Sequence, residues 1–147
     1  MKTLADTIEA MNALRQFVGP AQFWLLGTIA GRSEEREFFR AKVCELAATV
    51  AAMPHTYQNQ TDGQGDAAIA HLHYFAGGQA SWYITEKDAN QDGAGQVQAF
   101  GLADLFGDGG EVGYISIVEL LGAAAELDLY WRPKSLAEIR GKVAVAA

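Results

Sequence analysis

Two histidines and two acidic residues lie in the middle of the chain at spacings that suit a metal site. His71 and His73 are two residues apart, and Glu86 and Asp88 follow on either side of Lys87. Residues two apart in a β-strand point to the same face, so both imidazoles could reach one ion, with acids of the next strand completing a zinc site. The hairpin register that would bring the acids to that face is not fixed by the sequence. The pattern favours the other interpretation, two polar residues on the half-solvated face of an antiparallel sheet.

The loop after these acids begins like a calcium-binding loop. Asp88, Asn90, Asp92 and Gly93 match the opening D-x-N-x-D-G of an EF-hand, but its twelfth position holds Ala99 instead of a bidentate glutamate. Asp, Asn and Gly are also the residues that tight turns require. The sequence therefore predicts a turn here and no bound cofactor, with a divalent metal as the less favoured alternative.

Candidate nucleophiles have little support from the residues around them. Cys44, the single cysteine, lies at the edge of a helical apolar face and is predicted to be a buried, inert thiol. The chain contains neither a G-x-S-x-G elbow nor a helical H-E-x-x-H motif. Ser81 and Ser116 have no obvious basic partner. Covalent catalysis is therefore not predicted.

Acidic residues are concentrated between positions 86 and 128, where nine acids accompany one base, Lys87. They could form a divalent-metal site for phosphodiester hydrolysis, in which carboxylates hold Mg²⁺. They could also form a surface that imitates a phosphate backbone and occupies a basic groove of another protein. The third interpretation is a solvated surface that keeps the protein soluble.

The overall charge and composition narrow the class of partner and the compartment. A net charge of −7 argues against binding nucleic acids or anionic membranes and favours a protein partner with a basic surface. No apolar run approaches the roughly 18 residues of a membrane span. The first residues, MKTLADTIEAMNAL, carry Asp6 and Glu9 and do not resemble a signal peptide. Together with the lone cysteine, these features predict a cytoplasmic protein.

Residues 1–53 read as helical. Leu4, Ile8, Met11 and Leu14 fall on one face of a first helix, which Gly19-Pro20 ends. AQFWLLGTIAG is predicted to be a short buried turn of helix or a connector. Ser33 is predicted to cap a second long helix. The apolar face of that helix comprises Phe38, Phe39, Val43, Leu46, Val50 and Met53, and Pro54 ends it.

After a polar loop at 55–66, the pattern changes to strands separated by glycine-rich turns. The predicted strands cover residues 68–76, 80–88, 96–104, 111–116 and 126–131. Ser116 and Ser135 are predicted to cap short helices. Alternation places Trp82 with Ile84 and Phe100 with Leu102, each pair facing the early helices. The fold class is α+β: one domain, 1–147, with N-terminal helices on a four- or five-stranded antiparallel meander and short C-terminal helices.

Four motifs in this order resemble the DUF2958 family of bacterial proteins. They are W-Y-x-T-E-x-D at 82–88, F-G-L-x-D at 100–104, E-x-G-Y-x-S-x-x-E-L at 111–120 and D-L-Y-[FW]-x-P at 128–133. The resemblance covers about residues 68–139, within the predicted sheet region 67–147, and leaves the helical segment 1–53 outside it.

The resemblance implies an accessory protein of plasmids, phages and integrated elements, a group in which some members are labelled single-stranded DNA endonucleases. The polar positions inside the motifs become the candidate site: Glu86, Asp88, Asp104, Glu111 and Tyr114. A structural explanation is equally open, because carboxylates at strand ends can accept hydrogen bonds from turn amides. Asp104 and Glu111 lie where turns are predicted to begin or end.

The predicted function is that of a small acidic, non-enzymatic binding protein of mobile genetic elements. Its acidic surface would antagonise a host nucleic-acid-binding system by occupying a basic groove. One alternative is a metal-dependent phosphodiesterase or nuclease that uses Glu86, Asp88 and Asp104, with His71 and His73 as further ligands. Another is an interaction module whose N-terminal helices dock on a partner or form a homo-oligomer.

Overall fold

The computed structural model describes residues 1–56, 65–89, 93 and 95–146, which excludes most of the predicted polar loop together with Asn90 and Asp92. The helices are α1 Leu4–Leu14, α2 Pro20–Arg32, α3 Arg36–Ala52, α4 Ile117–Gly122 and α5 Leu136–Ala146. The strands are β1 Ile69–Ala70, β2 Leu72–Ala76, β3 Ala80–Glu86, β4 Ala99–Asp104, β5 Glu111–Ile115, β6 Glu126–Leu127 and β7 Lys134–Ser135. The predicted α+β class, with N-terminal helices and a five-stranded antiparallel sheet, is confirmed. No helix in the described part of the chain has the length and apolar character that crossing a bilayer requires.

Helix α1 forms in the predicted segment, but it ends at Leu14, Gly19-Pro20 begins α2 instead of ending α1, and α1 presents a different face to the core. Thr3 and Asp6 close a capping box, and the hydrogen bonds from Thr3 lower the pKa of the exposed Asp6 carboxyl. Leu4 and Ile8 remain 51% and 54% exposed, so half of the predicted apolar face is wrong. The reason is that α1 packs mainly against α3, which rotates the buried stripe to Thr7, Ala10, Met11 and Leu14.

The segment predicted as a short buried turn of helix or a connector is a full helix, α2. Pro20 occupies its first turn, where proline is well tolerated, while Trp24 stays 67% exposed and Leu26 is buried. An almost uniformly apolar sequence hides the periodicity that would have revealed this helix.

Ser33 ends α2 instead of capping α3, which corrects the predicted cap. Its hydroxyl donates to the Ile29 carbonyl at 2.9 Å and accepts from the Glu35 amide at 3.1 Å. Helix α3 therefore begins at Arg36. Its predicted apolar face is confirmed except for Phe38, which is 53% exposed.

The sheet has the order β5-β4-β3-β2-β6. Strands β2 to β5 form the predicted meander, and Ser116 and Ser135 cap α4 and α5 through the amides of Glu119 and Glu138. Helix α4 then carries the chain from β5 to the opposite edge, where β6 pairs with β2. The strand predicted at 126–131 is only two residues long, because the chain turns at Asp128.

The two faces of the sheet pack on different helices. One face places Leu72, Tyr74 and Ile84 against α1 and α3 in the main core. The other places Leu102 with Leu136 and Ile139 of α5, flanked by Tyr83 and Trp131. The prediction that Leu102 and Phe100 face the early helices is therefore wrong.

The pairing of Gly101 determines which residues of β4 face the early helices. Ile84 pairs with Gly101, so the neighbouring pair is Tyr83 with Leu102 on the opposite face. A Cβ atom at Gly101 would lie 2.0 Å from the Tyr83 carbonyl oxygen, which no side chain tolerates. The sequence could not reveal this phase without the register of the two strands.

Tyr74 connects the sheet to the turn after α1. It is fully buried, and its hydroxyl donates to the Phe17 carbonyl. Burial raises the pKa of this phenol well above its ordinary value. The hydrogen bond satisfies a carbonyl that would otherwise be buried without a partner.

We predict that Tyr74→Phe lowers the free energy of unfolding by about 1–3 kcal/mol, because the Phe17 carbonyl loses its buried donor. Tyr130→Phe is the matched control, since that ring is 62% exposed, and should change stability by less than about 0.5 kcal/mol. Urea unfolding followed by circular dichroism measures both. Equal stabilities of the two variants would contradict this role of Tyr74.

Candidate functional site

A continuous line of hydrogen-bonded side chains crosses the sheet face opposite α1 and α3. His73 lies in the middle of β2, Ser81 lies on β3, and Asp128 follows β6 directly. The distance from His73 Nε2 to Ser81 Oγ is 3.0 Å, and the distance from His73 Nδ1 to Asp128 Oδ2 is also 3.0 Å. The β2–β3 register pairs Tyr83 with His73 and Ser81 with Phe75, which places the serine diagonally beside the histidine.

The backbone fixes Asp128 independently of the imidazole. The Asp128 amide donates to the His73 carbonyl at 2.8 Å, which extends the β2–β6 ladder by one bond. The carboxylate also accepts the Tyr130 amide at 3.0 Å in a tight turn. Its two oxygens therefore serve different partners, Oδ1 the turn and Oδ2 the imidazole.

Gln22 of α2 holds the preceding residue from the other side. Its amide donates to the Leu127 carbonyl at 2.8 Å and accepts the Leu127 amide at 2.9 Å. One side chain thus makes the two bonds that a neighbouring strand would make along the outer edge of β6. This locks β6 to both the helical layer and the sheet.

Aromatic rings enclose His73 and fix the plane of its imidazole. Tyr83 stacks on it with centroids 4.8 Å apart and an interplanar angle of 9°, and the Trp131 ring lies 5.0 Å away. Trp131 is itself held by its indole N–H, which donates to the Ala70 carbonyl at 3.0 Å, and by Lys134, whose ammonium lies 4.6 Å from the ring centroid. Only 15% of the His73 side chain is exposed.

For a neutral imidazole beside an ionised carboxylate, the direction of each hydrogen bond follows from what the groups can donate. An ionised carboxylate only accepts, so His73 Nδ1 carries the proton given to Asp128. In the neutral imidazole Nε2 then only accepts, so the Ser81 hydroxyl must be the donor. This is the order of donors and acceptors in a Ser-His-Asp triad, which is recognised by geometry and not by sequence position.

The sequence prediction that Ser81 lacks a basic partner is wrong. The histidine lies eight residues earlier, across the hairpin that Gly77-Gly78 marks, and only the strand register shows that the two side chains meet. Asp128 is 55 residues away from His73, and no local sequence signal connects them. The order of the predicted elements did not indicate this contact either, because the chain returns to β2 only after α4.

Two of the five motif residues stabilise turns by their carboxylates. Asp104 is 4% exposed, and its oxygens accept the amides of Gly107, Asp108 and Gly109 at 2.7, 3.1 and 3.3 Å. Asp88 accepts the amides of Val97 and Gln98, both at 3.1 Å. Each carboxylate closes the loop at one end of β4.

The other three motif residues occupy different places on the sheet. Glu86 and Tyr114 lie in one row with Phe100, whose ring meets Tyr114 edge-on at 5.4 Å. Glu111 is exposed on β5, opposite Ala103. Since Phe100 and Asp104 are four residues apart in β4, the five residues divide into two groups about 13 Å apart along the strand.

His71 and His73, the candidate ligands of the less favoured metal alternative, have different surroundings. His73 binds Ser81 and Asp128, whereas the backbone amide of His71 donates to the Ile84 carbonyl at 2.8 Å and partial burial lowers the pKa of its imidazole. Among the described residues, no group of three or more His, Cys, Asp or Glu side chains is arranged to hold a metal ion. Asn90 and Asp92 of the calcium-like loop lie outside the described residues.

Comparison of the chain with family models, with curated proteins and with solved structures finds no match. The resemblance to the DUF2958 family therefore stays a prediction. Function is inferred below from the geometry of the described residues.

We predict that Asp104→Asn lowers the free energy of unfolding by about 1–3 kcal/mol, because one amide oxygen cannot replace two carboxylate oxygens and the new NH₂ group faces backbone donors. Asp108 is exposed, so Asp108→Asn makes the same chemical change on the same turn and should cost less than about 0.5 kcal/mol. Chemical denaturation of both variants provides the measurement. An Asp104→Asn protein that is as stable as the wild type would contradict the role of Asp104 in closing the turn.

We predict a pH dependence that comes from His71. Burial lowers its pKa in the folded state below the ordinary value of about 6.5, so the unfolded chain binds the proton more readily. The stability that the fold gains from a neutral His71 is fully present above about pH 6.5 and is lost as pH falls through the folded-state pKa of His71. The wild type should lose stability relative to His71→Gln between about pH 7.5 and about pH 5. Urea unfolding at both pH values tests this, and a constant difference between the two proteins would refute it.

Proposed function

We propose that the protein acts by binding a partner protein that carries a basic, extended segment, as a small acidic accessory protein of mobile genetic elements. The single observation that carries the proposal is the position of β5, an edge strand that combines exposed apolar and acidic side chains. The link to mobile elements rests on the DUF2958 resemblance alone.

The edge position of β5 offers a way to bind a strand. It ends the sheet order, next to β4. Its Val112 and Tyr114 side chains are 48% and 58% exposed. A partner segment that adds to such an edge gains main-chain hydrogen bonds and contacts for alternate side chains.

The hairpin before β5 supplies the charge. Asp108 and Glu111 are exposed, and Phe106 at the same hairpin is 73% exposed. Acidic and aromatic groups exposed on one hairpin suit an extended segment in which Lys or Arg alternates with apolar residues. A groove that normally holds nucleic acid carries the same positive charge, so occupying such a groove is the mode of antagonism that we propose.

The N-terminal helices provide a second candidate surface. Leu4 and Ile8 line a cavity of about 220 Å³ between α1 and α2, together with Phe23 and Gly27. Trp24 lies exposed on α2. These groups are apolar and fit the alternative of an interaction module that docks or self-associates through its helices.

A labelled decapeptide of alternating Lys and Val, measured by fluorescence anisotropy, tests the β5 proposal. We expect binding that weakens steeply between low and high salt. The double variant Asp108→Lys, Glu111→Lys should weaken binding at least about tenfold. The control double variant Glu34→Lys, Glu37→Lys makes the same change in net charge in the α2–α3 region. This variant should retain most of the peptide binding.

Two results would overturn the proposal. An equal loss of peptide binding in both double variants would mean that only the net charge of the protein matters. No peptide binding by the wild type would leave β5 without a role. Trp24→Glu should bind the peptide as the wild type does. Loss of binding in that variant would transfer the function to the helical surface.

A further inference from the structure

We propose that Ser81 is a nucleophile that accepts an acyl group from esters, with His73 as its general base and Asp128 as the positioning residue. This activity goes beyond the partner binding proposed at β5. It rests on the two 3.0 Å contacts that join the three side chains and on the donor order that a neutral imidazole beside an ionised carboxylate allows.

The serine contact is not required to hold the sheet together. Ser81 and His73 lie on adjacent strands whose pairing runs from Leu72↔Ile84 to Ala76↔Ala80. Asp128 is likewise fixed by its own backbone, through its amide to the His73 carbonyl. A serine at this position gives His73 Nε2 a donor, and a hydroxyl that donates to a histidine is the group that nucleophilic catalysis uses.

The fixed imidazole suits proton transfer. Stacking on Tyr83 and the contact with Trp131 hold the ring plane, while Asp128 selects the tautomer that leaves Nε2 open to accept a proton. A base that is oriented by a third group is the arrangement that activates a serine hydroxyl.

The reaction balances without any co-reactant besides water. Ser81 Oγ attacks the ester carbonyl carbon, and its proton passes to His73 Nε2. The carbon–oxygen bond of the leaving alcohol then breaks, and that alcohol takes the proton from Nε2. Water attacks the resulting acyl-serine in the same way, giving its proton to His73, and releases a carboxylic acid and free Ser81.

The surroundings define the class of ester. Phe75 is 38% exposed and lies on the same face, opposite Ser81 in the register, so the acyl group can rest on an aromatic surface. Asp104 is the β4 residue opposite Ser81, and Glu126 lies opposite Phe75 on β6. The Asp104 carboxylate is taken up by its own turn, and Lys134 lies over Trp131 on the other side of His73, so the charges do not select the substrate and we expect esters with apolar acyl groups.

Covalent labelling of the full chain with a fluorophosphonate probe tests the proposal, because an activated serine displaces fluoride from phosphorus. Mass spectrometry should locate the label on Ser81. Ser81→Ala should lose the label while its circular dichroism spectrum at the labelling temperature matches that of the wild type. Ser33→Ala is the matched control, since that hydroxyl serves a helix end, and it should label normally.

Asp128→Asn tests the positioning role. We expect the labelling rate to fall roughly 10³- to 10⁴-fold, as for loss of the orienting acid in other triads, while Ser81 remains the labelled residue. Asp128→Glu should recover part of the rate, which a purely structural effect on folding would not explain. p-Nitrophenyl acetate and p-nitrophenyl butyrate then probe turnover, and the wild type should hydrolyse both faster than Ser81→Ala does.

Three results would overturn the proposal. They are a wild type that takes up no label, a label that persists in Ser81→Ala, and an Asp128→Asn protein that labels at the wild-type rate.

Discussion

The short pairing of β6 with β2 is the constraint on which the rest of the structure depends. It joins Leu127 to Tyr74 at the edge of the sheet far from β5. Gln22 of α2 makes two hydrogen bonds to Leu127 on the outer side of β6, so Leu127 connects the helical layer to the sheet. The chain turns at once afterwards, and Asp128 comes to lie beside His73. Without this return, the sheet would lack its last strand and the histidine would lack its carboxylate.

Strand alternation gives the central strand β2 two separate roles. Tyr74 points into the main core and binds the Phe17 carbonyl, whereas His73 points to the opposite face and binds Ser81 and Asp128. The β5 edge lies three strands from β2 in the sheet order. Partner binding at that edge and chemistry at Ser81 therefore use different strands of one sheet face.

Signals that act over a few residues predicted the fold well. The caps at Ser116 and Ser135, the end of α3 before Pro54 and the turn role of Asp104 all follow from groups within five positions of each other. Features set by packing or register were missed: the orientation of α1, the helix α2, the face occupied by Leu102 and the partner of Ser81. Each depends on residues far apart in the chain, and periodicity alone cannot fix how two elements align.

The protonation state of His73 tests the central claim most directly. Nitrogen-15 NMR of the histidine side chains distinguishes the two neutral tautomers, and His73→Gln assigns the signal. The account predicts a single neutral form with the proton on Nδ1, held by Asp128, and a bare Nε2 that accepts from Ser81. A neutral ring protonated on Nε2, or a fluctuating mixture of both forms, would contradict it, because neither leaves a fixed acceptor for the serine hydroxyl.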